Sequence, residues 1–318
     1  MMISNFIAVI CRVFSLENNR KHTMAAPLQI GITCLLSGIL LSGCTLWQIQ
    51  QAGPDLQALH AQAQQGDVDS QFRLGLRFYH GLEVPHNYPA AYDYFRKAAE
   101  QGHQQAQYLL GTGYYEGKGV PKQSEEACHW LEPLAEQGNL QAQYIVGMIF
   151  LEDKSTNKLA DPAWGAYWLS KAALAGHSAA QYQLGLLHLA GKGVPKHLGD
   201  AYHWLMMAHQ QNHPQAKQAL ASLQKQLKAT PQVHRYQHAL KNQAHKDFAA
   251  VQFVQFRLKQ LGYPLKHVDG IWGKQTQHAI DKYSKQNQLS LPEKISPRLI
   301  QALRDNQQAS LQPMTQDK

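Results

Sequence analysis

The chain has 318 residues, 44% of them hydrophobic and 16% charged, with a formal net charge of +8. That length makes roughly two domains of about 100–200 residues each, and the apolar content excludes a wholly disordered or collagen-like chain. Four cysteines exclude a disulfide-stapled scaffold. No Lys/Arg run of the nucleic-acid-binding kind is present, so the mild basic excess fits only loose attraction to anionic polymers.

The first predicted element is an apolar run over residues 30–41, followed at once by Ser42-Gly43-Cys44. A bilayer span needs about 20 apolar residues, whereas the hydrophobic region of a signal peptide needs about 7–15. The string Leu41-Ser42-Gly43-Cys44 resembles the bacterial lipobox. The resemblance implies cleavage before Cys44, acylation of that cysteine, and a membrane anchor made of lipid chains. Thr45 follows in place of Asp, which the sorting rule of such lipoproteins reads as outer membrane, facing the periplasm. Counted from Met1 the leader is unusually long; a start at Met24 gives ordinary length but no basic side chain ahead of the apolar run. The preferred reading places the start at Met24.

Next comes an internal repeat. Small residues recur at Ser70, Ala106, Ala142, Ala180 and Ala216, with spacings of 36, 36, 38 and 36. Glycines at 75, 111, 147 and 185 keep the same steps, and so do aromatics at Tyr94, Trp130, Trp168 and Trp204. Each unit predicts two helices. In the first, Ala106, Leu109, Leu110 and Gly113 share one face at helical spacing. The turn Gly117-Lys118-Gly119-Val120-Pro121 ends it, and the second helix covers residues 124–136. A kink is expected at Pro133. In the third unit the turn reads Glu152-Asp153-Lys154-Ser155-Thr156-Asn157-Lys158, without the glycines.

The Gly-Lys-Gly-Val-Pro strings at 117–121 and 191–195, with endings such as Ala135-Glu136-Gln137-Gly138, resemble Sel1-like repeats, relatives of the tetratricopeptide class. The resemblance implies four full units over about residues 69–215, a half unit before them and a capping helix after. Such arrays stack into a solenoid whose concave surface binds proteins or extended peptides. The tryptophans are read as core; Tyr92, His129, Tyr167 and His203 are read as exposed candidate contacts for a protein partner.

A weakly patterned connector follows, broken at Thr230-Pro231, and then three short predicted helices. The first carries Val251, Val254, Leu258 and Leu261 at helical spacing, and the third starts at Ser296-Pro297. Between the first two lies Asp269-Gly270-Ile271-Trp272-Gly273. The Leu-Gly-Tyr at 261–263 and the Asp-Gly-x-x-Gly-x-x-Thr-x-x-Ala-Ile-x-x-Tyr from Asp269 to Tyr283 resemble the peptidoglycan-binding domain 1 family. Ser284 and Lys294 depart from that pattern. The resemblance implies wall binding, with Tyr263, Asp269, Trp272, Gln275 and His278 as candidate contacts. Asp269, Gly270, Gly273 and Thr276 are also expected to organise the loop and cap the second helix. For Trp272, stacking on a sugar face and packing in the core are equal readings.

The sequence holds no nucleophile elbow, HExxH, phosphate loop or CxxC. Histidine pairs at 209/213 and 234/238 lack accompanying acidic or cysteine ligands in a motif, so no metal and no cofactor is expected. The expected fold is all-α. It divides into a signal peptide (1–43), tether (44–55), solenoid (56–227), linker (228–247), peptidoglycan-binding-like bundle (248–305) and disordered tail (306–318). The expected function is a noncatalytic envelope lipoprotein with peptidoglycan and an envelope protein as partners, a membrane contact through its lipid, and no nucleic acid. The alternatives are a regulatory or inhibitory subunit of a peptidoglycan hydrolase, and a protein-only adaptor in envelope assembly or secretion.

Overall fold

A computed structural model describes Ile49 and residues 53–152, 155, 157–228, 248–289 and 295–309. The predicted signal peptide, Cys44 and nearly all of the linker lie outside these residues. Thirteen helices and no strand occur among the described residues. They are α1 (Pro54–Gln64), α2 (Val68–His80), α3 (Tyr88–Glu100), α4 (Gln104–Glu116), α5 (Ser124–Glu136), α6 (Leu140–Leu151) and α7 (Pro162–Leu174). Then follow α8 (Ser178–Ala190), α9 (Leu198–Gln210), α10 (Ala216–Lys228), α11 (Phe248–Gln260), α12 (Lys274–Gln286) and α13 (Pro297–Ala309). The last runs four residues into the expected disordered tail. None is long and apolar enough to cross a membrane.

The described residues divide into two compact units: those up to 110 together with 117–121, and 111–116 together with those from 122 onward. In both, each repeat is a helix pair held at the glycine column. A Cβ on Gly75 would sit 2.6 Å from the Phe95 ring in the first unit. In the second, Cβ atoms on Gly111, Gly147 and Gly185 would sit 2.5–2.8 Å from Leu131, Leu169 and Leu205. These glycines therefore give up helix propensity for close approach of the paired helix. Phe95, Leu131, Leu169 and Leu205 are fully buried in return.

A second column joins each pair to the helix before it. Gln71, Gln107, Gln143 and Gln181 donate their amides to the carbonyls of Ala63, Ala99, Ala135 and Ala173, at 2.9–3.2 Å. Each carbonyl lies near the end of the preceding helix and also accepts from the N–H of the glycine that follows it, so the glutamine is its second donor. A third column caps the first helix of each pair: Asp67, His103, Asn139 and His177 accept from the N–H of Ser70, Ala106, Ala142 and Ala180. The residue types differ, but each offers an acceptor at N-cap.

The tryptophan column is core, with Trp168 and Trp204 each 2% exposed. Helix α5 runs on through Pro133 to Glu136. In the third repeat Asn157 replaces the missing glycine turn. It is buried, donates to the carbonyl of Ile149 at 2.8 Å and to Glu152 at 3.0 Å, and accepts from the N–H of Leu159.

Candidate functional site

Within the second unit, α11 packs on α7 of the third repeat. The contact centres on Trp164, which stands where the other repeats hold Ala90, Glu126 and Asp200. Its indole stacks on Tyr167 at 4.6 Å and meets the edge of Phe253 at 5.2 Å. The Arg304 guanidinium lies 4.9 Å from the same ring, a cation–π arrangement. Arg304 also pairs with Glu132 at 3.0 Å, and the Trp164 N–H donates to that carboxylate.

A second clamp lies beside it. Asp161 caps α7, one carboxylate oxygen accepting from the N–H groups of Ala163 and Trp164. Its other oxygen pairs with Arg257, which is only 2% exposed and also donates to Gln260. Burial works against the charge on Arg257, and Asp161 opposes that loss. One acidic side chain thus starts a repeat helix and receives α11.

The partner-contact candidates differ in exposure. Tyr92 is buried, against the expectation, with its ring edge-on to Tyr79 and Phe95. The reason is register: the residue preceding the Tyr/Trp column is Asp93, equivalent to His129, Tyr167 and His203, so Tyr92 falls one place earlier and turns inward. His129 is exposed, and His203 is half-buried, its imidazole pulled below the ordinary range by burial and held up by Asp200. Tyr167 is half-buried against Trp164 and Phe253, and burial pushes its phenol up to about 12.

The loop between α11 and α12 is built around Gln255, itself 2% exposed. Its carbonyl oxygen accepts from the N–H of Asp269 and Gly270, at 3.0 and 2.8 Å. Its amide donates to the Asp269 carboxylate, the Ile271 carbonyl and the Thr276 hydroxyl, each at 3.0 Å. Asp269 also accepts from the N–H of Ile271. Gly270 has φ +71°, and a Cβ there would lie 2.3 Å from the Phe248 ring, so glycine is required twice over.

Of the wall-contact candidates, Gln275 and His278 meet in a cavity of about 430 Å³ with Pro264, Lys266 and Lys274. Asp269 lines a different cavity, of about 610 Å³, between α11, the loop and the start of α9. Tyr263 donates its hydroxyl to Gln286 and packs edge-on to Tyr283. Trp272 is half-buried and lines neither cavity. Sequence reasoning missed Gln255, Arg257 and Arg304. For Gln255 the spacing to Asp269 carried no signal; for the arginines the signal was the odd aromatic at Trp164.

Helix pairs closed on glycine and tied in series by glutamines define an α-solenoid of repeated units. Residues 68–103, 104–139, 140–177 and 178–213 each match the family model for the Sel1 repeat. Two solved structures are similar. A Sel1 repeat protein from Oxalobacter formigenes has 27% identity and a TM-score of 0.46 over 60% of this chain and 75% of its own. The protein c5321, a protective antigen of uropathogenic Escherichia coli displaying an SLR fold, has 22% identity and a TM-score of 0.48 over 79% of this chain and 56% of its own. No curated protein matches the chain.

Proposed function

We propose that this chain is a noncatalytic lipoprotein of the bacterial envelope that binds peptidoglycan through α11–α13 and holds an envelope protein on its Sel1 repeats. The observation that carries the reading is the loop at residues 269–273. Its Asp-Gly string is the part that resembles a wall-binding family, and Gln255 holds it rigid beside two open cavities. Acylation at Cys44 places the protein in the outer membrane facing the periplasm. With a lipid at one end and the wall at the other, a bound partner is confined to the gap, and effective concentration replaces affinity. Co-sedimentation of the intact protein with purified sacculi tests the wall contact: recovery in the pellet is expected, and recovery in the supernatant at low salt overturns it. Radiolabelled palmitate tests the anchor, with wild type labelled and Cys44→Ala unlabelled.

A protein-only adaptor is the second reading. The engagement of Asp269 within its own loop and the packing of α11 on α7 favour it, since both give the C-terminal helices a structural role. A pull-down on sacculus-free periplasm, in which a partner is retained although sacculi are not, selects it.

A further inference from the structure

Of the contact residues read from sequence, only Asp269 lines the cavity of about 610 Å³ between the start of α9 and the C-terminal helices. Its size is that of a ligand site, about 300–1,000 Å³. Phe248, Phe256 and Ile271 supply an apolar floor, and Lys196, Lys259 and Lys266 stand in its lining. Among the described residues, no carboxylate lies within ion-pair reach of any of these three ammonium groups. The two carboxylates in the lining are already engaged. Asp269 accepts from Gln255 and from the N–H of Ile271. Asp200 lies 3.1 Å from His197 and 3.8 Å from the buried His188. Three lysines against two aspartates leave the lining with a net positive charge beside an apolar wall, and a concave low-dielectric surface focuses such a field.

We propose that this cleft binds a short acidic peptide and, resting on the wall-binding reading above, that the peptide is the acidic stem peptide of peptidoglycan and not its glycan. Carboxylates spaced along a stem would meet the lysines, and its small apolar side chains would lie on Phe248, Phe256 and Ile271. A neutral sugar would bring no counter-charge to the three ammonium groups. Lys196 belongs to the fourth repeat, so the site requires repeat and C-terminal helices together.

The test uses the intact chain and two exposed substitutions, Lys196→Glu and Lys266→Glu, alone and combined. Calorimetric titration with a purified disaccharide-tetrapeptide is run beside titration with chitotetraose, a neutral glycan. Wild type is expected to bind the muropeptide and not chitotetraose, and the double variant to bind at least tenfold more weakly with an unchanged thermal melt. Equal muropeptide affinity in wild type and double variant overturns the cleft, as does equal affinity of wild type for chitotetraose. Sacculus sedimentation separates the two claims. If wild type pellets and the double variant titrates like wild type, only the cleft assignment falls; if wild type stays in the supernatant, the wall-binding reading falls and the cleft with it.

Discussion

Replacing Arg257 by alanine removes the buried half of the Arg257–Asp161 clamp. Arg257 is 2% exposed, while the Asp161 side chain is 13% exposed and keeps the N–H donors of Ala163 and Trp164. Stranding one member of a buried pair costs about 3–5 kcal/mol; with Asp161 partly wet and still capping, the expected loss is about 2–3 kcal/mol. For a unit of some 150–250 residues each kcal/mol moves Tm by about 2–4 °C, which gives a drop of about 4–12 °C. Asp161→Asn keeps the helix cap and deletes only the charge, so urea denaturation of wild type, both single variants and the double variant closes a thermodynamic cycle. A coupling energy of about 1.5–3 kcal/mol is expected. A loss below about 0.5 kcal/mol for Arg257→Ala, or a coupling energy of zero, would refute the reasoning that this pair holds α11 on α7. The more exposed Arg304–Glu132 pair provides an internal comparison, and Arg304→Ala is expected to cost only about 1–2 kcal/mol.

Three further outcomes are expected. Gly111→Ala places a methyl 2.5 Å from Leu131 Cγ; overpacking should outweigh the gain in helix propensity and lower stability by about 1–2 kcal/mol in a thermal melt, and a rise would contradict the close approach. Gln181→Leu removes the side-chain donor to the Ala173 carbonyl, which keeps the Gly176 N–H, and the acceptor of the exposed Gln211 amide, so chemical denaturation should register a loss of about 0.5–1.5 kcal/mol, and no loss would remove the glutamine column as a tie between repeats. Burial pushes the Cys128 thiol up to about 12. The folded protein keeps the thiol neutral while the unfolded chain ionises near pH 9, so this contribution to stability is complete below pH 9 and lost as pH rises from there towards 12. Peptide-mapped iodoacetamide labelling at pH 9 should therefore spare Cys128 until denaturant is added. Labelling at the rate of an exposed thiol would contradict the burial.

Most of the repeat architecture was legible because each unit writes the same contact in the same place. The glycine column announced close helix packing, since glycine in mid-helix needs a reason to be there. The capping column was not legible as a column: Asp67, His103, Asn139 and His177 share a role but not an identity. The glutamines were visible at 71, 107, 143 and 181, yet a polar residue on a predicted buried stripe reads as a surface residue until its carbonyl partner is known. In the third repeat, one buried side chain, Asn157, does the work of a glycine turn, so loss of the motif left the helix pair intact. The packing of α11 on α7 was the least accessible part. It joins residues 96 positions apart, and no local pattern encodes such a pairing. Its one trace was a tryptophan where sister repeats hold small or acidic residues.

The glutamine column has a terminus. One place after Ala216 the next member of the series is Lys217, which is exposed, and α10 turns Gln218, Ser222, Gln224 and Lys225 outward while Ala216, Leu220 and Leu223 face in. An ammonium can only donate, so it cannot supply the side-chain acceptor that Gln71 and Gln181 offer to Gln101 and Gln211. The outward face of α10 is therefore polar, which is what a cap on a stack of repeats requires.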